Sequence, residues 1–485
     1  MSGKITYYST NDKTERVSFE TALLKGMGSN YGLYMIPRQE IPKLSRKEIV
    51  GMKGASYAEI AFKVLNPFLK AEIPADQLTV LLNEAYDEKV IPTGIQRVAG
   101  AVYIMWLSGG PTYSFKDYAA RFFGRTLDYF LKKRNLKKTV VVATSGDTGG
   151  AVADALHGLG NVENVVFFPR GAVSSGQRRQ MTTLGGNVYA FEVNGDFDLC
   201  QALAKNLLGD KEFAKELFGD PDRLTSANSI SLGRLLPQAV YPFYTYSRVG
   251  EEGEPMIVSI PSGNFGDMMG TVIAKEMGLP VSKIICGVNE NTEFPEFLKT
   301  GRYSVKPTKS SPSSAMMVSH PSNLARLIDF YGGHMFDKRD KTGRVTREGV
   351  IDRMPNFESM RMDIASFAVN NKEHEDTIKQ VYEKYGVLLD PHGAVGWKAL
   401  ERYLGGRDDQ LAVVYETADP GKFPQFVKKA TGIEPAIPAG IQKQAKLKER
   451  IFSIESKPCQ TKSGIRLSSQ QIEEAKAKIK QLLSP

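Results

Sequence analysis

Beyond residue 100 the chain alternates short, almost unbroken apolar runs with stretches of helical period, and this alternation restricts it to one class of fold. The runs cover residues 139–144, 164–169, 188–193, 257–261, 283–288 and 411–416, and are nearly continuous in Val, Ile and Phe. A strand without polar alternation needs cover on both faces, which helices on either side of a mainly parallel sheet supply. Between the runs lie amphipathic segments. Over residues 115–133 the apolar positions 115, 118, 119, 122, 123, 127, 130 and 131 fall on one helical face. Residues 231–248 and 267–277 read the same way. The predicted fold is α/β, with open, twisted, mainly parallel sheets and flanking helices.

The first hundred residues differ. Residues 57–68 and 75–86 have helical period and no strong buried strand stands out, so this region is expected to be mostly helical. With 485 residues the chain exceeds one small core. The composition suggests four parts: a helical region 1–100, a smaller α/β domain 101–249, a larger one 250–435 and a basic C-terminal extension 436–485. The GEEGEP segment at 250–255 reads as the linker between the two α/β domains. Residues 306–321 (KPTKSSPSSAMMVSHP) read as a long loop of the kind that covers active sites. Ser468 or Ser469 caps a terminal amphipathic helix.

The net charge of +9 raises the question of nucleic acid, but the C-terminal lysines read as solvated helix faces, and an anionic metabolite accounts for the bias equally well. No apolar run approaches the length of a membrane span, and the N-terminus has no basic stretch followed by an apolar one, so a cytoplasmic protein is expected. Cys200, Cys286 and Cys459 form no CxxC, and the five histidines show no HxxxH or HxH spacing. Neither a disulfide framework nor a metal site is indicated.

Four features carry chemistry. Lys116 stands in the segment 109–117 (GGPTYSFKD) at the start of a helix, where the positive end of the dipole disfavours a lysine. An exposed first-turn lysine is the bland reading; a lysine kept there for its amine is the functional one. Ser145, Gly146, Asp147 and Thr148 follow a buried strand and open a helix, which makes either an anion site or an ordinary glycine-rich turn. The turn is neither GxxxxGK[ST] nor GxGxxG, which disfavours nucleotides. Ser262, Gly263, Asn264, Phe265 and Gly266 repeat the strand–turn–helix arrangement. Thr417 ends the last buried run, at the strand end where open α/β sheets bind ligands. A lysine can hold an aldehyde cofactor as a Schiff base, and a loop of backbone N–H groups can hold that cofactor's phosphate. Together they point to pyridoxal 5'-phosphate rather than to hydride or phosphoryl transfer.

GGPTYSFKD, ATSGDTGGA, TSANSISLGRLLPQAVYPF, VSIPSGNFGD, DPHGAVG and TADPGKFP, in this order, resemble the threonine synthase family, as do QMTTLGGNVYAFEVNGDFDLCQAL and the opening YYSTNDKTERVSFETALLKG. The resemblance runs from about residue 5 to 430. It implies the fold type II group of pyridoxal phosphate enzymes, with two sheets and the cofactor between two α/β domains. It implies that Lys116 is the Schiff-base lysine, that Ser262, Gly263, Asn264, Phe265 and Gly266 cradle the cofactor phosphate, and that Thr417 faces the pyridine nitrogen. Ser145, Gly146, Asp147 and Thr148 are then expected to hold the substrate's anionic end, with Asn228, Ser229, Arg234 and His392 lining the pocket. The implied reaction converts O-phospho-L-homoserine and water to L-threonine and phosphate. A phospho-lyase giving 2-oxobutyrate and a non-catalytic cofactor-binding protein are the alternatives. Gly109, Ser114, Gly393 and Asp419 depart from the family's usual His, Ala, Thr and His. No nucleic-acid or membrane partner is expected, and the oligomeric state is left open between monomer and homodimer.

Overall fold

The structure, a computed structural model, describes residues 5–340, 345–461 and 464–483. The chain forms two compact units. The first comprises residues 27–119 and 229–437 with the N-terminal segment up to Ala22; the second comprises residues 120–228 with Leu23–Gly26 and the segment from Pro438 onward.

The first unit is organised by a six-stranded sheet in the order Ile364–Ala368, Val281–Val288, Met256–Pro261, Ala412–Glu416, Val102–Trp106 and Gly94–Ala99. All neighbours are parallel except the last pair, an antiparallel hairpin. Met256–Pro261 and Ala412–Glu416 are buried throughout, as their lack of polar alternation requires. Helix Pro391–Leu404 lays Ala394, Ala399 and Leu400 on the sheet beside Ile257, Ile285 and Val414. The N-terminal segment is mostly helical, with Tyr57–Leu69 opened by a Ser56–Glu59 capping box and followed by Ala75–Ala85. It also carries a small antiparallel sheet of Tyr7–Ser9, Asp12–Val17 and Tyr34–Met35, too short and too polar for periodicity to reveal. The segment read as one helix over 231–248 is three: Leu232–Leu235, a 3-10 turn Leu236–Ala239 and Val240–Val249. Pro237, which has no N–H to donate, stands in the tighter turn.

The second unit holds a five-stranded, wholly parallel sheet in the order Ile451–Ile454, Val188–Val193, Val162–Pro169, Lys138–Ala143 and Leu224–Ser226. Its edge strand Ile451–Ile454 comes from the basic extension, so that extension is part of the fold. Helix Ser469–Leu483 packs Ala475 and Ile479 into a core with Cys200, Leu203 and Leu207.

The units divide the chain differently from the linear boundaries at 100, 249 and 435. Val102–Trp106 and Lys116 belong with the first unit, and residues 250–255 connect Val240–Val249 to Met256–Pro261 inside it. Hydrogen bonding in a sheet assigns a strand to its neighbours, and composition along the chain does not carry that information.

Candidate active site

Three adjacent parallel strands of the first unit end side by side. Met256–Pro261 pairs with Ala412–Glu416, which pairs in turn with Val102–Trp106. The Ser262–Gly266 loop, Thr417 and the segment leading to Lys116 therefore leave the sheet at one carboxyl edge, where open α/β sheets bind ligands.

Lys116 begins helix Lys116–Arg134. The preceding turn is held by Asp117, whose carboxylate accepts from the Thr112 N–H at 2.9 Å and the Thr112 hydroxyl at 2.6 Å. This acidic residue at the helix start offsets the lysine's poor fit to the dipole. The Phe115 N–H donates to Thr417 O at 2.9 Å and the Asp419 N–H to Tyr113 O at 3.2 Å, so the lysine loop and the Thr417 strand end are pinned together. Ser114 lies in that bridge and accepts from the Lys116 N–H at 3.4 Å. A Cβ at Gly109 would meet Pro92 O at 2.1 Å, which excludes a larger residue there. Beneath the turn lies a nest of buried tyrosines: Tyr118 packs against Tyr57 and Tyr241, with ring centroids 5.1 and 5.6 Å apart. Tyr241 also donates to Phe115 O at 3.2 Å.

In the Ser262–Gly266 loop, the Ser262 N–H is spent on Gly287 O at 2.8 Å. The N–H groups of Gly263, Asn264, Phe265 and Gly266 have no acceptor among the described residues. Phe265 adopts a left-handed conformation (φ 61°) and caps helix Gly266–Glu276, so the chain turns back with its donors exposed at a positive helix end. A Cβ on Gly263 would meet Ala315 O at 2.8 Å, and one on Gly266 would meet the Gln238 amide at 2.7 Å. Asn264 is fixed from outside. Its Oδ1 accepts from the Ser322 N–H and hydroxyl at 3.3 and 3.1 Å, and its carbonyl from Asn323 Nδ2 at 2.9 Å. Four main-chain donors without an acceptor at a helix start fit a phosphate group, and so the loop fits the expected cofactor. Burial pushes the carboxyl of Asp267, in the helix's first turn, up to about 6, opposed by the Met268 N–H and the charge of Lys116.

Asp419 stands two residues after Thr417, and Glu416, which is fully buried, directly precedes it. Glu416 Oε1 accepts from the Asp390 N–H at 2.5 Å, and Oε2 has no hydrogen-bond partner. A Cβ at Gly393 would fall 1.5 Å from that Oε2, so glycine at 393 follows from the carboxyl beside it. Burial, then the charge of Asp390, raises Glu416 well above the usual carboxylate range. Burial acts upward on Asp390 as well, but the adjoining imidazole and hydrogen bonds from His392 and Glu416 outweigh it and leave Asp390 below its ordinary value. His392 Nδ1 pairs with Asp390 Oδ1, and Nε2 accepts from the Ala315 N–H at 3.1 Å. Both ring nitrogens are thus engaged, and the ring anchors the 306–321 segment. His374 and Asn289 hold the same segment through Ser313 Oγ, at 3.0 and 3.1 Å.

Arg234 is buried close to the start of the Lys116 helix. Burial brings its guanidinium down to about 10, against the opposing effects of Tyr241 and Asp117. Ser229 presents its carbonyl to Asn323 Nδ2 at 3.4 Å. In the second unit, Asn228 and the Ser145–Thr148 turn share a strand end, with Asn228 Nδ2 reaching Ala143 O at 3.4 Å. The Thr144 hydroxyl accepts from the Gly146 and Gly149 N–H groups at 2.9 and 2.8 Å, taking two of the turn's donors. Asp147 accepts from the Gln177 amide at 2.9 Å. Asp267, Glu416, Asn323 and Arg326 were not legible as site residues. Asp267 stands inside the VSIPSGNFGD motif quoted above and Glu416 ends the apolar run before TADPGKFP, whereas Asn323 and Arg326 lie in no motif.

The family model described as "Threonine synthase N terminus" matches residues 6–86, "Pyridoxal-phosphate dependent enzyme" matches 91–416 and "Threonine synthase, C-terminal" matches 393–465. The chain is 36% identical over 470 residues to threonine synthase of Schizosaccharomyces pombe, covering 89% of this chain and 90% of that one. It is 34% identical over 441 residues to the Escherichia coli threonine synthase, covering 91% and 94%. Among solved structures it resembles the pyridoxal-phosphate-bound threonine synthase from Brucella melitensis, with a TM-score of 0.86 and 31% identity over 99% of this chain and 100% of that one. Motif order, strand-end geometry and these likenesses converge: the chain belongs to the threonine synthase family of pyridoxal-phosphate-dependent enzymes.

Proposed function

We infer that this protein converts O-phospho-L-homoserine and water to L-threonine and phosphate. The observation that carries the reading is the convergence of Lys116, the donor loop Ser262–Gly266 and Thr417 on one sheet edge. Pyridoxal phosphate, when bound, supplies the electron sink for carbanion chemistry. Lys116 would hold the cofactor's aldehyde, and its amine would take the proton from the substrate's Cα. The N–H groups of Gly263, Asn264, Phe265 and Gly266 hold the cofactor phosphate. Thr417 would offer the ring nitrogen a neutral hydroxyl, which does not force protonation as a carboxylate partner does. Ser145, Gly146, Asp147 and Thr148 would take the substrate's anionic end, and Asn228, Ser229 and Arg234 are further candidates for substrate contacts. His392 acts through its grip on Ala315. The 306–321 segment lies against Gly263 and serves as the cover that keeps stray water from the reacting carbons. The reading takes the enzyme to be cytoplasmic and monomeric or homodimeric, which cell fractionation and light scattering check.

The test is incubation of the cofactor-loaded protein with O-phosphohomoserine. Threonine and phosphate should appear in equal yield; 2-oxobutyrate and ammonia in place of threonine would overturn the assignment in favour of a phospho-lyase. No helix among the described residues is long and apolar enough to cross a membrane.

A further inference from the structure

Arg326 is 0% exposed, the largest fully buried side chain among the described residues. Among the described residues it forms no ion pair with a carboxylate. Its Nε donates to Tyr34 O at 3.0 Å, Nη1 to Asn323 Oδ1 at 2.6 Å and to Ser229 O at 3.3 Å, and Nη2 to Ile230 O at 2.6 Å. Every acceptor is neutral. Burial alone accounts for the fall of its guanidinium to about 9, with no opposing negative charge. A buried cation balanced only by carbonyl dipoles is costly, and such groups are kept where a countercharge joins them.

One neighbour links the guanidinium to the Ser262–Gly266 loop. Asn323, held by the guanidinium through its Oδ1, turns its Nδ2 to the carbonyl of Asn264 at 2.9 Å, and its N–H donates to the same oxygen at 3.2 Å. Asn264 is the middle residue of the donor loop. Arg326 thus stands one side chain behind the loop assigned above to the cofactor phosphate.

We propose that Arg326 is a positioning residue that supplies the buried positive charge for the phosphate of pyridoxal 5'-phosphate, acting through Asn323 on the Ser262–Gly266 loop. This rests on the assignment of that loop to the cofactor phosphate. Its hydrogen bond to Asn323 orients the amide that holds the Asn264 carbonyl, and its charge favours the doubly ionised phosphate over the singly ionised one.

The test compares pyridoxal 5'-phosphate with pyridoxal, which lacks the phosphate, by fluorescence titration of the apoprotein, together with phosphorus NMR of the bound cofactor across pH. In the unaltered protein the phosphate should stay doubly ionised well below its ordinary second pKa of about 6; a normal titration there overturns the proposal. R326M should lose roughly tenfold or more in affinity for the phosphorylated cofactor, the scale of one charge pair across a partly dry interior, with pyridoxal binding unchanged. R326K, which keeps the charge, should retain the preference for the phosphorylated form even if the protein is less stable. Equal weakening of both ligands in either variant reduces Arg326 to a packing role and overturns the proposal. If R326M does not fold, the phosphorus titration and R326K decide alone. If the unaltered protein binds pyridoxal as tightly as its phosphate, the loop assignment itself fails, which is a separate outcome.

Discussion

Lys116 is held by its neighbours on both sides: Asp117 ties the turn before it, and the Phe115 N–H is locked to the Thr417 carbonyl. Lys116→Ala should therefore leave the turn intact and remove only the amine. We expect loss of the lysine-bound cofactor's visible absorbance and a fall in kcat of about a hundred- to ten-thousandfold, read by spectroscopy and phosphate release. Gly393 makes a different kind of prediction. Any Cβ there collides with the buried Glu416 carboxyl, so Gly393→Ala should cost about 1–3 kcal/mol of stability in urea denaturation. Glu416 also sets a pH dependence. Its pKa is raised in the folded protein, so the native state keeps a proton that the unfolded chain releases above the ordinary glutamate pKa, and stability falls as pH rises through that window. Asp390 has the opposite sign: its contribution is present above its unfolded pKa and is lost only as pH falls through its lowered folded value. E416Q carries no such proton. Its stability relative to the parent protein should thus rise steadily between about pH 5 and pH 8; a flat difference would show that Glu416 ionises normally.

Among the elements, strands read best. The Val- and Ile-rich runs appear as Lys138–Ala143, Val162–Pro169, Val188–Val193, Met256–Pro261, Val281–Val288 and Ala412–Glu416, each within two residues of the pattern, because burial on both faces leaves an unmistakable apolar signature. Val102–Trp106, with only partial burial, and the short edge strands gave no such signature. The terminal helix was legible from its cap and period, but its role was not. Ile479 is 2% exposed in the core it shares with Leu203, so Ile479→Ala should destabilise the protein by about 2–4 kcal/mol, with kcat of the folded fraction unchanged. A truly peripheral extension would show no such loss. At the loop level, Gly263→Ala pushes against Ala315 O and should displace either the donor loop or the 306–321 segment. Weaker binding of pyridoxal 5'-phosphate, measured by titration of the apoprotein, is the expected result.

Over the whole molecule, the net charge of +9 favours approach of a phosphorylated, anionic substrate. kcat/KM for O-phosphohomoserine should fall with added salt while kcat holds, because screening acts on encounter more than on the closed site. How the chain divides was hidden from composition. Residues 120–228 and the segment from Pro438 onward share one sheet, a pairing between distant stretches that no local pattern encodes. Taken by itself, the sequence determined the α/β class, the lysine at a helix start and the glycine-bearing turns, since apolar period, helix-end preferences and backbone freedom are properties of a few neighbouring residues. The tertiary structure alone decided that Thr417 and Lys116 share a sheet edge, that Glu416 occupies the space above Gly393, and that Arg326 stands behind the Ser262–Gly266 loop. Each of these joins residues far apart in the chain through hydrogen bonds and close packing, and such contacts exist only once the strands have taken their order.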